Sequence, residues 1–151
     1  MNNDMVTFVR ARLDEDEQGA SAASPGPWHL NAEGDEVLAV DDITVAEGFA
    51  LSNRQLRATA AHIARHDPAR VLREVDAKRR IVDLHGIVYR EIGWLENGDE
   101  ERSETPVCGL CAPKHSHYQR RDDVPKGPCL TVRLHAAAYA DHPDYRKEWR
   151  P

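Results

Sequence analysis

The sequence predicts an α+β protein in which a small antiparallel β-meander packs on helices and a C-terminal, zinc-knuckle-like C-x-x-C…C element completes the fold. Three observations lead there. Apolar residues recur at three- and four-residue spacing near the start and again between 52 and 86, which marks amphipathic helices. The stretch between them, 28–50, is rich in short β-branched runs bounded by turn residues. The three cysteines fall in the last third, as Val107-Cys-Gly-Leu-Cys111 and Pro128-Cys129. At 151 residues the chain fits one domain, 1–151, with a modest core. Within it lie an N-terminal helix (1–24), a β-meander (25–50), a helical pair (52–86) and a cysteine-bearing C-terminal subregion (106–151).

Asp4 caps a helix predicted over 5–23, with Met5, Phe8, Val9, Leu13 and Ala20 on its inner side and Asp14-Glu-Asp-Glu17 as a solvated face. Ser24-Pro-Gly-Pro27 ends it, because proline cannot continue a helix. Trp28–Leu30, Glu36–Val40 and Ile43–Ala46 read as three short strands, too few to stand without helical cover. Ser52 or Asn53 starts the next helix, carrying Leu56, Ala60 and Ile63 on one side and stopping before Pro68. Asp67 caps the following helix with Pro68 in its first turn, and Gly86 stops it. Val71, Leu72, Val75, Val82 and Leu84 are its apolar residues. Residues 87–95 fit strand and helix equally, 97–106 reads as a polar loop, and 129–139 as a last helix.

The composition restricts partners. No apolar run is long enough for a membrane span, the start lacks the basic and apolar regions of a signal peptide, and no membrane partner is expected. The expected location is the cytoplasm. The net charge of −6 conceals eleven acids against two arginines in residues 1–50, and fifteen acids against eighteen bases in 51–151. Eight bases lie between Arg54 and Arg80 against Asp67, Glu74 and Asp76. Mutual neutralisation across the fold or along helix faces is one reading of this asymmetry, a nucleic-acid contact through the basic helices 54–80 another, and an acidic half that imitates nucleic acid or binds a basic partner a third.

In a reducing compartment, C-x-x-C points to metal or redox chemistry before a structural disulfide. Zinc takes four tetrahedral ligands and favours thiolate and imidazole. Cys108 and Cys111 would present two sulfurs to one ion, and Cys129 a third from a helix start that favours its thiolate. Five histidines are candidates for the fourth ligand: His85, His115, His117, His135 and His142. Spacing alone favours His117, while His85 stands on the apolar side of its helix. A structural zinc staple competes with free thiols, a redox Cys108–Cys111 pair and a catalytic zinc. No H-E-x-x-H and no deaminase pattern is present, and no glycine-rich phosphate loop supports nucleotide binding. His62 and His66 read as surface or capping residues, and Asp141-His142 as a turn.

The stretch Ala61-His-Ile-Ala-Arg-His-Asp-Pro-Ala-Arg-Val-Leu-Arg-Glu-Val-Asp-Ala-Lys-Arg-Arg80, with Pro128-Cys-Leu-Thr-Val-Arg-Leu134, Tyr139–Tyr145 and Glu148-Trp-Arg-Pro151, is accompanied by Phe8-Val-Arg-Ala-Arg-Leu13 and Pro25-Gly-Pro-Trp28. Together they resemble an uncharacterised family of small proteins in Streptomyces, related actinobacteria and their phages. Residues 25–28 and the Ile63-Ala-x-x-x-Pro68-x-x-Val71 pattern also resemble phage early-region Ead-like proteins. The family resemblance implies a C-x-x-C paired with a later Pro-Cys and a histidine ending the long helix. That makes Cys108, Cys111, Cys129 and His85 the implied metal ligands, with zinc as a structural cofactor. The chain departs from the pattern in the long connection between His85 and Cys108, in Leu130, and in Ala136-Ala-Ala138.

These readings converge on a zinc-stabilised accessory or interaction module that binds a protein partner. Nucleic-acid binding through 54–80 is the first alternative and a zinc-dependent hydrolase the second. Trp28, Trp94 and Trp149 are candidates for either a contact surface or the core.

Overall fold

A computed structural model describes residues 3–112, 117–118, 123 and 127–151. Its helices are α1 (Asp4–Ala22), α2 (Asn53–Arg65), α3 (Pro68–Leu84) and α4 (Leu130–Ala137), followed by a 3₁₀ turn at Lys147–Trp149. Its strands are β1 (His29–Leu30), β2 (Glu36–Leu38), β3 (Thr44–Glu47), β4 (Ile87–Glu96), β5 (Asp99–Cys108) and β6 (His117–Tyr118). This is the expected α+β class. The chain divides into two compact units, Met1–Arg12 with Lys78–Pro151, and Leu13–Ala77.

In the second of these units, β1, β2 and β3 form an antiparallel sheet in that order, which is the expected meander. Its first turn is built by one side chain: Asn31 Oδ1 accepts from the backbone N–H groups of Gly34, Asp35 and Glu36 at 2.8, 3.0 and 3.2 Å. Helix α2 covers the sheet, burying Ala60 and half-burying Leu56 and Ile63 as its spacing requires. Ser52 Oγ caps α2 by accepting from Gln55 N–H.

Asp67 performs two tasks from one buried carboxylate. Its Oδ1 accepts from Arg70 N–H at 2.6 Å, capping α3, and its Oδ2 accepts from Trp28 N–H at 3.0 Å. A side chain at Gly26 would come within 2.9 Å of that carboxylate, so only glycine leaves it room. The Pro-Gly-Pro-Trp segment and the Asp-Pro helix start are thus two halves of one contact. His66, at the C-terminal end of α2, donates from Nδ1 to the His62 carbonyl at 2.8 Å, and both histidines are exposed.

The first unit departs from expectation in one element. Residues 97–106, expected as a polar loop, belong mostly to β5, which pairs antiparallel with β4 along ten residues. The physical cause is the Asn97-Gly98 dipeptide, whose φ values of 55° and 91° make the two-residue turn that matches strand twist. Every side chain from Asp99 to Glu104 is exposed, so the strand carries no apolar alternation to announce it. β6 joins β4 in parallel at Gly93 and Trp94, and Ile92, Trp94, Val107 and Ala112 form a buried cluster against which Tyr118 packs.

Phe8 on α1 stands edge-on to Tyr139, His142 and Tyr145 and tilted against Trp149 at 5.1 Å. Trp94 and Trp149 are 8% and 7% exposed, which assigns both to the core. Arg133 of α4 reaches the carbonyls of Glu148 and Arg150, fixing the C-terminal Glu-Trp-Arg segment. Leu72 and Leu84, expected among the apolar residues of α3, are 36% and 62% exposed.

Candidate metal centre

The β4–β5 register brings Cys108 opposite Ile87, two positions from His85. The long connection between His85 and Cys108 is therefore a hairpin that returns the chain to its starting point. Close backbone approach completes the junction: Gly109 N–H donates to the Gly86 carbonyl at 2.8 Å. A side chain at Gly109 would stand 3.3 Å from that same oxygen and from Val88. Arg90 of β4 donates to the Gly109 carbonyl at 3.0 Å, pinning the turn from the other side. Within the turn, Cys111 N–H donates to Cys108 Sγ at 3.3 Å, and Ala112 N–H to the Cys108 carbonyl at 3.0 Å.

Cys129 enters from the start of α4, where it holds the N-cap position with extended backbone. Burial pushes its thiol up, but the N–H groups of Val132 and Thr131 together with the Cys108 and Cys111 thiols outweigh that and hold it below its ordinary value. Cys111 moves the other way, to about 11, through desolvation and through the hydrogen bonds and charges of Cys108 and Cys129. This opposition is what crowded thiols do: deprotonating one disfavours the next.

Three sulfurs converge on one nitrogen. Cys108, Cys111 and Cys129 Sγ lie 3.5, 3.3 and 3.4 Å from His85 Nδ1, and the four atoms all fall within 4.8 Å of one another. A single ring nitrogen takes part in one good hydrogen bond, so three thiols cannot all be satisfied by it. A tetrahedral ion with metal–sulfur bonds of about 2.3 Å and a metal–nitrogen bond of about 2.05 Å separates sulfur from nitrogen by about 3.6 Å. The observed separations match that edge length, so the residues fit a metal ion. All three cysteines are free of disulfides.

The cluster contains the four residues implied by the family resemblance. His117, favoured by spacing alone, has its backbone in β6, and its side chain is outside the described residues, as is His115. His135 and His142 are elsewhere. His135 sits on α4, its imidazole held below its ordinary value by burial first and then by Lys78 and His85. His142 accepts from Arg12 at 3.0 Å and from Asp144 N–H at 3.1 Å through Nδ1. Sequence reasoning missed Gly109 and Arg90 as supports. The glycine inside Cys-Gly-Leu-Cys was the available sign of a close approach, while nothing in the sequence marks Arg90.

Residues 2–151 match the model of a family of unknown function, DUF6221. No curated protein and no solved structure matches the chain.

Proposed function

We propose that the chain, which belongs to DUF6221, is a zinc-stapled protein that acts by binding a protein partner and not by catalysis. One observation carries this reading: three sulfurs and Nδ1 supply all four tetrahedral positions, and a catalytic zinc needs one of them open to water or substrate. A thiolate-rich set with one imidazole suits zinc over the hard cations that prefer oxygen. Three reduced cysteines suit the cytoplasm. A setting in phage or mobile-element biology rests on the family resemblance and on the Ead-like resemblance of 25–28 and 63–71.

Zinc content per chain tests the reading, measured for the unaltered protein, His85→Ala and His117→Ala. One zinc in the first and third, with loss of zinc and of cooperative unfolding in the second, is the expected result. Absence of metal from every preparation would overturn it. Cobalt substitution then separates structural from catalytic: a closed site gives a tetrahedral thiolate spectrum that added azide leaves unchanged. A spectral shift on adding azide would instead reveal an open position and restore the hydrolase.

A further inference from the structure

From Gly48 to His66 the chain carries three arginines and two histidines and no carboxylate, in a protein of net charge −6. Helix α2 turns Leu56, Ala60 and Ile63 inward, while Arg54, Arg57 and Arg65 lie on its opposite face and span about 16 Å along the axis. All three are exposed, and none of their side chains makes an ion pair or hydrogen bond among the described residues. Of the arginines of α3, Arg70 holds Glu74 at 2.7 Å and Arg79 and Arg80 have partners of their own, while Arg73 stands exposed as those of α2 do. Immediately before α2, Phe49 is 86% and Leu51 102% exposed. Two large apolar side chains thus project into solvent at the head of an unpaired basic face.

We propose that this face docks on an anionic lipid surface. Phe49 and Leu51 enter the boundary between headgroups and acyl chains, and Arg54, Arg57 and Arg65 lie against the lipid phosphates. Complementary charge selects an anionic partner, and the apolar pair selects lipid over nucleic acid, whose phosphate backbone offers Leu51 nothing to enter. No described helix is long and apolar enough to cross a membrane, and a peripheral contact of this kind needs none. The expectation of no membrane partner rested on the missing span, which does not bear on a surface contact. None of these residues belongs to the metal cluster.

Co-sedimentation of the full chain with vesicles of phosphatidylglycerol and phosphatidylcholine, against phosphatidylcholine alone, tests the proposal. Binding should require the anionic lipid and weaken with salt. Replacing Arg54, Arg57 and Arg65 together by Gln should weaken it about a hundredfold, at about fivefold per arginine. Phe49→Ser with Leu51→Ser should also weaken it, with circular dichroism and zinc content unchanged in both variants. No binding to anionic vesicles at low salt, or binding indifferent to the three arginines, would overturn the proposal. So would retention on duplex DNA that survives the Phe49 and Leu51 changes, which would assign the face to nucleic acid.

Discussion

The metal-cluster region and the meander region are held together over different distances in sequence. Cys129 meets His85 across 44 positions, and Cys111 meets it across 26. In the meander, Asn31 builds its turn from N–H groups three to five positions away, and Asp67 caps α3 from three positions away. The Asp67–Trp28 bond there reaches further, across 39 positions. Distant side chains have a high entropic cost of assembly, which a metal ion offsets through bonds much stronger than hydrogen bonds. Short-range devices cost little and need no such help. The two regions should therefore respond to different perturbations.

Chelation gives the largest expected contrast. Structural zinc in small domains contributes on the order of 10–16 kcal/mol of apparent folding free energy. A chelator, or Cys129→Ser, should abolish amide-exchange protection in β4, β5 and α4 while leaving β1–β3 and α2 protected. Equal loss in both regions would erase the distinction. Acid should act as the chelator does, because thiolates and imidazole must be deprotonated to hold the ion.

Hairpin length tests the geometry of the centre itself. Deleting Leu95, Glu96, Asp99 and Glu100 shortens both strands equally and preserves the Trp94–Glu101 register, so zinc binding should persist. Deleting Asp99 and Glu100 alone displaces one strand by two positions and should lower zinc occupancy. Unchanged occupancy in both variants would show that the register does not deliver Cys108.

Asp67→Ala is the matching experiment on the other region. It removes a helix cap and strands the Trp28 N–H, a loss of about 3 kcal/mol, read from denaturant midpoints with zinc content unaffected. Gly98→Ala should cost less, about 1–2 kcal/mol, since nothing crowds the position and only its φ of 91° opposes a side chain.

The contrast in sequence distance also explains what was legible. Helix bounds, the meander, the Asp67 cap and the three sulfurs follow from periodicity, turn chemistry and spacing, all of which act over a few residues. The hairpin was missed because its outer strand opens on six exposed polar residues, five of them charged, leaving Asn97-Gly98 as its main sign. Spacing alone pointed to His117, and only the family resemblance implied His85.

By itself, the sequence determined the local elements, the charge imbalance and the identity of the sulfur donors. Tertiary structure brought His85 to them, because a ten-residue strand pair carries Cys108 back beside the end of α3 and Gly109 lets the two backbones touch. It also decided which arginines of the basic stretch find partners: Arg70, Arg79 and Arg80 do, while those of α2 are left exposed next to Phe49 and Leu51. Periodicity specifies which side of a helix is polar, but pairing depends on what the fold brings opposite that side.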